Sequence, residues 1–331
     1  MSTVTNPETE AIAEALATQN LDQTFKHLHS GKVREIFEAE DGGSLVMVAT
    51  DRISAFDVVM DERIPGKGIV LNNISARMFA YLRDTVPHHL WHSNYLPYGP
   101  FEGRASLVQK LTPIPAECIV RGLITGSMWS AFKKAENVDG VKMVLGFELP
   151  ANMRESEMFP EPLFTPSTKA EVGHDENLTE AETRALLESW VDGLPDRQKQ
   201  YWADRDLFDE LNAISIELFK RGRDYAAECG IILADTKFEC GLNGSGEIVL
   251  MDEALTPDSS RFVFKEDYEV GKKLVCQDKQ ILRDYLQERV DRGEWNKEYP
   301  PPTLPPELIG EIRRVYSDML HRITGNESLP A

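Results

Sequence analysis

Four charged side chains interrupt two strongly apolar runs near residue 240. Asp235, Lys237 and Glu239 lie in "IILADTKFECGL", and Asp252 ends "EIVLMD". Buried strands are normally filled with Val, Ile and Leu, and charge within them is costly unless a cation, a partner or a ligand meets it. These residues therefore need a chemical explanation, and we favour a functional one.

The segment "NGSG" between the two runs predicts a tight hairpin turn. Asn243-Gly244 is typical of a type I′ turn, with Gly244-Ser245 as the alternative. In a two-residue loop, odd positions of the first strand pair with even positions of the second, and side chains alternate between faces. The three charged residues of the first strand then share a face with Asp252, while Glu253 points away. A three-residue loop would reverse this assignment.

Such a patch could hold a metal ion and a phosphate. Mg²⁺ favours one or two carboxylates together with phosphate oxygens, and a lysine can hold a phosphate as a point charge. The alternative is an internal salt-bridge cluster beside a polar sheet face. The hairpin alone leaves both interpretations open.

Two N-terminal segments carry further candidates. In "SGKVREIFE", Gly31 would let backbone approach a phosphate, and Lys32 and Arg34 are predicted to share a strand face; an edge strand with solubilising cations is the alternative. In "ATDRISAFD", Ser54 and Asp57 follow a buried strand. Anion binding and an ordinary, well-capped loop are both open there.

Three later segments could bind anions. "VRGLITGSMW" puts Arg121 at a strand end and Ser127 before a predicted helix, where an anion is stabilised; a capped helix with a structural arginine is the alternative. Lys169 lies in the long polar loop "FTPSTKAEVGHDENLT", and loops of this length are usually functional or disordered. Arg261 follows the hairpin and is a good anion ligand.

The elements that position these residues change along the chain. Alternating and apolar runs within 30–60 predict an antiparallel hairpin sheet, and 115–124 predicts an apolar strand. Thr179 and Glu182 match a capping box, and Gly230 ends the following helical pattern. We therefore predict a strand-rich lobe at 1–118 and a larger, mixed α/β lobe at 119–331 that includes the C-terminal helices.

Composition excludes several classes of partner. The chain has 331 residues and a formal net charge of −19, which argues against nucleic acid or an anionic membrane as a main partner. A small anionic ligand needs only a local basic pocket. The 4 cysteines are widely spaced, so a zinc site or disulfide framework is not expected, and a reducing cytoplasm fits.

In combination, these segments resemble one family. The matching strings are "SGKVREIFE", "ATDRISAFDVVM", "IPGKGIVLN", "ECIVRGLITGSMW", "LFTPSTKAEVGHDEN", "ADTKFECGL" and "LMDEALTPDSSRF", from about residue 30 to residue 265. Together they resemble phosphoribosylaminoimidazole-succinocarboxamide synthase, or SAICAR synthetase. The chain is similar to the longer, single-chain form, for which a monomer is expected.

The resemblance implies a ligase of purine biosynthesis. Such enzymes join L-aspartate to the carboxylate of carboxyaminoimidazole ribonucleotide (CAIR) with ATP and Mg²⁺, and release SAICAR, ADP and phosphate. It also implies a two-lobe α+β fold related to ATP-grasp enzymes and kinases, in which the lobe at 1–118 binds the nucleotide and the lobe at 119–331 holds the substrate and Mg²⁺ sites. The alternatives are another ATP-dependent carboxylate–amine ligase or a small-molecule kinase on the same scaffold, and a non-catalytic nucleotide-binding module.

The resemblance also implies roles for the candidate residues. Six residues are implied to bind the nucleotide. Gly31, Lys32 and Arg34 would cover the ATP phosphates, with Lys237 beside them. Glu117 and Ile119 would line the adenine-ribose site. Glu239 and Asp252 are implied as the Mg²⁺ ligands. The CAIR set consists of Arg121, Ser127, Asp235 and Arg261, and Ser54 and Asp57 are further substrate-binding candidates. Lys169, with the 167–175 loop, would close over the aspartate end. The catalytic residues would be Lys237, Asp235 and Arg261.

Overall fold

A computed structural model describes residues 25–39, 41–95, 101–169, 176–277 and 279–325. The strands, in chain order, are β1 (Phe25–Ser30), β2 (Arg34–Ala39), β3 (Ser44–Ala49), β4 (Arg52–Ala55), β5 (Val58–Arg63), β6 (Leu90–His92), β7 (Ala105–Gln109), β8 (Thr112–Pro113), β9 (Ala116–Leu123), β10 (Asn137–Val138), β11 (Val141–Val144), β12 (Phe147–Pro150), β13 (Met158–Phe164), β14 (Ser167–Thr168), β15 (Ile231–Leu242), β16 (Ile248–Met251) and β17 (Ser260–Phe264). The helices are α1 (Lys67–Leu82), α2 (Gly126–Lys134), α3 (Glu180–Asp192), α4 (Asp196–Tyr201), α5 (Leu207–Glu228), α6 (Gln280–Asp291) and α7 (Pro306–Thr324). Within these ranges, no helix combines the length and the hydropathy needed to cross a bilayer.

The chain forms two compact units. The first draws its described residues from Met1–Phe79, His89–Lys110 and Lys279–Ala331, and the second from Ala80–His88 and Leu111–Asp278. This division differs from the predicted boundary at 118/119, because residues 111–118 group with the second unit and the C-terminal helices group with the first.

The first unit contains a five-stranded antiparallel sheet in the order β1-β2-β3-β7-β6. The predicted N-terminal hairpin sheet is thus confirmed, with Arg34 opposite Ala49 across β2 and β3. The Asp41 carboxylate closes the β2–β3 turn by accepting bonds from the Gly43 and Ser44 amides at 2.9 and 2.8 Å. Inward-facing apolar residues of the sheet, including Phe37, form the core of this unit.

The second unit is built on a seven-stranded sheet in which β13, β9, β15 and β16 are neighbours, with β14 beside β9 and with β17 and β8 beside β15. Its strand ladders are antiparallel, so the predicted α+β class is confirmed. Helix α5 packs on one face, where a Cβ on Gly122 would lie 2.8 Å from the Phe219 ring. Because side chains alternate, the other face of β9 and β15 is left for polar residues.

Helix ends follow the sequence signals. Thr179 and Glu182 form the predicted capping box at the start of α3. Gly230 follows α5 in a left-handed conformation, with φ of 71°, which suits glycine at a helix end. The last of the predicted C-terminal helices is α7, whose apolar stripe is buried.

The predicted hairpin exists, but its turn is of another type. The Asn243 amide donates to the Glu247 carbonyl at 3.0 Å, and the Gly246 amide donates to the Asn243 carbonyl at 3.0 Å. The loop therefore spans Gly244 to Gly246, and Gly246 has φ of 97°, as in three-residue hairpin loops that end in a left-handed residue. Glu239 consequently pairs with Met251, so the parity predicted from a two-residue loop is wrong.

Candidate active site

One face of the central sheet in the second unit carries charged side chains from three strands. Asp235 lies opposite Arg121 of β9 and opposite Arg261 of β17, and Lys237 lies opposite Ile119. Side chains two residues apart point to the same face, so Glu117 and Glu239 join this set. The prediction that the charged residues of β15 share a face is confirmed, and the face extends across β9.

Lys237 is the centre of a carboxylate cluster. Its Nζ lies 2.5 Å from Glu117 Oε1 and 3.0 Å from Glu239 Oε1. Ser167 Oγ donates to the other Glu117 oxygen at 3.1 Å, and Lys169 donates to Glu239 Oε2. The lysine side chain is 34% exposed, whereas those of Glu117 and Glu239 are 9% and 12% exposed. The cluster is therefore open on the lysine side.

Electrostatics fix the protonation states of this cluster. Burial lowers the pKa of Lys237, but Glu239 and Glu117 outweigh it and raise the pKa above the ordinary lysine value. Burial conversely raises the pKa of Glu239, but Lys237 and Lys169 outweigh it and lower the pKa to about 2. Lys237 is thus a fixed cation rather than a general base, and Glu239 is a fixed anion.

The position of Asp252 cannot be derived from the alternation of side chains along a strand. It lies just beyond β16 with φ of 64°, so alternation of faces no longer applies to it. Its carboxylate charge contributes to the raised pKa of Lys237. Glu253, the next residue, is buried and accepts a hydrogen bond from Thr256 Oγ1. Asp252 is therefore close enough to Lys237 to raise its pKa, but the register from which this was predicted is wrong, and the role of Asp252 in a shared patch stays a prediction.

A second cluster on the same face consists of two arginines that share one carboxylate. Arg261 donates to Asp235 Oδ2 at 2.7 Å, and Arg121 lies 3.8 Å from the same oxygen. Arg121 also donates to Thr165 Oγ1 at 2.9 Å and to Ser127 Oγ at 3.4 Å. Two guanidinium groups and one carboxylate leave a local excess of positive charge.

Burial makes this excess significant. Arg121 is only 4% exposed. Its pKa is lowered by burial, raised by Asp235 and lowered by Arg261, with a net lowering. Ser127 is in the first turn of α2, where the helix dipole adds positive potential. An anion carrying phosphate or carboxylate oxygens would complete this cluster.

In the first unit, a glycine turn joins β1 to β2. The Gly31 amide donates to the Arg34 carbonyl at 2.8 Å, so Lys32 lies in the turn between β1 and β2. The prediction that Lys32 and Arg34 share a strand face is therefore wrong, because only Arg34 belongs to the strand. Lys32 instead pairs with Asp57.

Asp57 itself lies in a strained hairpin turn. Ala55 pairs with Val58, and the two residues between them, Phe56 and Asp57, have φ of 51° and 64°. Two left-handed residues define a type I′ turn, which non-glycine residues adopt at a cost. Ser54 lies in β4 opposite Val59, so it is a strand residue rather than a loop residue.

Arg52 was not predicted as a site residue, yet it braces the glycine turn. Its guanidinium donates to the carbonyls of Gly31 and Arg34 at 3.2 and 3.1 Å and to Glu35 Oε1 at 2.5 Å. Arg52 is 3% exposed and Glu35 is fully buried. Arg52 stands in the segment "ATDRISAFD" close to the candidates Ser54 and Asp57, which was a signal in the sequence. Its partners could be identified only in the folded structure.

Thr165 and Ser167 are two more residues that the sequence analysis missed. Thr165 accepts a hydrogen bond from Arg121, and Ser167 donates one to Glu117. Both residues lie in the polar segment "FTPSTKAEVGHDENLT", which also contains the candidate Lys169. Residues 170–175, in the loop predicted to close over aspartate, lie outside the described residues. Across the residues that the structure does describe, no group of three or more His, Cys, Asp or Glu side chains is arranged to hold a metal ion.

Known proteins share both the sequence and the fold. A family model described as SAICAR synthetase matches residues 27–301. A phosphoribosylaminoimidazole-succinocarboxamide synthase from Maridesulfovibrio salexigens is 43% identical over 312 residues, which is 92% of this chain and 95% of that protein.

Two solved structures extend the comparison. SAICAR synthase from Saccharomyces cerevisiae, solved with SAICAR, has a TM-score of 0.75 at 36% identity, with 94% of this chain and 99% of that chain covered. A Type-2 SAICAR synthetase in complex with ADP has a TM-score of 0.63 at 23% identity, with 91% and 99% covered, and it bears on the fold alone.

The protein has an α+β fold, and the charged sheet face and these matches define it as a ligase. The chain belongs to the SAICAR synthetase family.

Proposed function

We propose that this enzyme joins the amine of L-aspartate to the carboxylate of CAIR in purine biosynthesis, and that it converts ATP to ADP and phosphate. The observation that carries the proposal is the pairing, on one sheet face, of a cationic cluster around Arg121 and Arg261 with the carboxylate–lysine cluster around Lys237. The first suits the acidic groups of CAIR, and the second suits a phosphoryl group with its metal ion.

The CAIR end is assigned to Arg121, Ser127 and Arg261, which would bind its phosphate and carboxylate. Asp235 orients both guanidinium groups through its shared oxygen. Because these partners are fixed before substrate arrives, little reorganisation is needed on binding.

A carboxylate does not react with an amine at neutral pH, so it must be activated. We assign this step to transfer of the ATP terminal phosphoryl group onto the CAIR carboxylate, with ADP leaving. The aspartate amine then attacks the acyl phosphate, the amide forms and phosphate departs. Lys237, which stays protonated, would neutralise charge on the phosphoryl oxygens.

The residues present fit a magnesium ion. Mg²⁺ commonly takes one or two protein carboxylates and completes its shell with phosphate oxygens and water, and Glu239 and Asp252 lie near Lys237 with negative charge. When bound, the ion would neutralise charge on the transferred phosphoryl group. Glu239 and Asp252 are the residues that would hold it.

The remaining assignments concern the nucleotide and aspartate. The turn of Gly31 and Lys32, with Arg34, would cover the ATP phosphates, and Glu117 and Ile119 would line the adenine-ribose site. Lys169 would lie at the aspartate end, and Ser54 and Asp57 would contact substrate. A relationship to ATP-grasp enzymes and kinases remains a prediction.

We further propose that the enzyme acts as a cytoplasmic monomer without a nucleic-acid partner. Cys118 and Cys240 are buried free thiols rather than a disulfide, which suits a reducing compartment. The net charge of −19 opposes binding to a polyanion. Light scattering on the purified protein tests the oligomeric state.

An ADP-release assay tests the reaction. We expect release to require CAIR, aspartate and Mg²⁺ together, with SAICAR formed in equal amount. Equal ADP release without aspartate would indicate a kinase, and no release with all substrates would contradict the ligase function.

A further inference from the structure

Gly126 lies directly beneath the guanidinium of Arg261. A Cβ on Gly126 would be 2.5 Å from one terminal nitrogen of Arg261 and 2.7 Å from its Cζ. Side-chain atoms do not approach that closely, so any other residue at position 126 would displace the guanidinium.

The displaced group is the far end of a flexible side chain. Moving it costs little packing energy, in contrast to Gly122, where a Cβ would meet the buried ring of Phe219 at 2.8 Å. The steric effect of a substitution at Gly126 therefore falls on the position of Arg261 rather than on the core. Gly126 also has φ of 57°, so a side chain there adds backbone strain.

The position of Arg261 is otherwise determined by Asp235, which binds it at 2.7 Å. Gly126 begins helix α2 and precedes Ser127, which accepts from Arg121. Because Gly126 has no side chain, the Arg261 guanidinium can pack against the start of α2, close to the other groups of the cationic cluster.

We propose that Gly126 is a positioning residue that holds Arg261 in place for the acidic acceptor substrate. This inference rests on the proposed function, in which Arg261 binds CAIR. It predicts an effect on the acceptor and none on the nucleotide.

Gly126→Ala and a matched control variant test the proposal. Gly140 also has a positive φ, of 85°, but a Cβ there would meet nothing within 4 Å. Gly140→Ala therefore imposes a similar backbone penalty, in the same unit, without touching a guanidinium. For Gly126→Ala we expect KM for CAIR to rise about tenfold to a hundredfold, as for a lost charge-assisted hydrogen bond. KM for ATP should stay unchanged, and Gly140→Ala should match the wild type in both constants.

A double-mutant cycle with Arg261→Ala separates positioning from backbone strain. If Gly126 acts through Arg261, adding Gly126→Ala to Arg261→Ala should change KM for CAIR no further. An additive effect, or a Gly126→Ala enzyme that equals Gly140→Ala, would overturn the positioning role. If instead the wild-type protein does not turn over CAIR, the proposed function itself fails.

Discussion

The ammonium of Lys237 lies 2.5 Å from the carboxylate of Glu117, a residue 120 positions earlier in the chain. Antiparallel pairing of β9 with β15 brings them together, and Glu239 completes the contact at 3.0 Å. A lysine held between two largely buried carboxylates keeps its proton, which suits charge neutralisation on a phosphoryl group.

Replacement of Lys237 by Met is expected to lower kcat about a hundredfold or more, as for removal of a preorganised charge from an active site. The measurement is steady-state ADP release in the presence of CAIR and aspartate. Lys220→Met is the control, because Lys220 pairs with the exposed Glu161 at 2.9 Å, and it should retain activity. Unchanged kcat in Lys237→Met would contradict the role of the lysine.

The lowered pKa of Glu239 predicts a pH-dependent contribution to stability. The folded-state pKa is about 2 against an ordinary value of 4.5, so the folded state favours the ionised form. Its stabilisation is fully present above pH 4.5 and is lost as pH falls towards 2.

Urea unfolding of wild type and Glu239→Gln between pH 7 and pH 3 measures this contribution. We expect the difference in unfolding free energy between the two proteins to narrow below pH 4.5. The exposed Glu148→Gln should differ little from wild type throughout. If the difference in unfolding free energy between wild type and Glu239→Gln does not vary with pH, the ion pairs of Glu239 with Lys237 and Lys169 do not stabilise the fold.

Asp252→Asn is expected to raise the Mg²⁺ concentration that half-maximal activity requires, because one anionic ligand becomes neutral. ADP release measured across a Mg²⁺ titration, with and without a chelator, tests this. Glu247→Gln, at the residue that follows the hairpin loop, is the control and should titrate like wild type. Unchanged turnover and Mg²⁺ dependence in Asp252→Asn would remove Asp252 from the metal site.

Arg52→Ala is expected to destabilise the protein by about 3–5 kcal/mol, because it leaves the fully buried Glu35 carboxylate without its guanidinium. Lys110→Ala, which removes the partner of Glu38, a residue of the same strand as Glu35, should lower the unfolding free energy far less, because that ion pair faces solvent. Chemical denaturation of the two variants measures the contrast. Similar losses of unfolding free energy in Arg52→Ala and Lys110→Ala would contradict the role of Arg52 as the buried partner of Glu35.

Local patterns made several features predictable from the sequence. Alternation within β15 put Asp235, Lys237 and Glu239 on one face, because the pleat of a strand needs no information from other elements. The capping box at Thr179 and Glu182 was equally local. The order of the short motifs was enough to indicate the family.

Other features depended on contacts between distant segments. The sequence suggested a two-residue turn at Asn243-Gly244 or Gly244-Ser245, but the loop has three residues and ends at Gly246, which changed the strand register. Lys32 and Arg34 were separated because the turn between β1 and β2 contains Lys32. Turn type depends on how the flanking strands twist and pair, so local residue preferences decide it only in part.

The sequence by itself determined which residues could do chemistry and that Asp235, Lys237 and Glu239 share a strand face. Only the tertiary structure decided that Glu117 meets Lys237, that Arg121 and Arg261 share Asp235, and that Asp252 lies close enough to raise the pKa of Lys237. The physical reason is that alternation is set within one strand, whereas cross-strand register and backbone reversals are set by packing across the whole sheet.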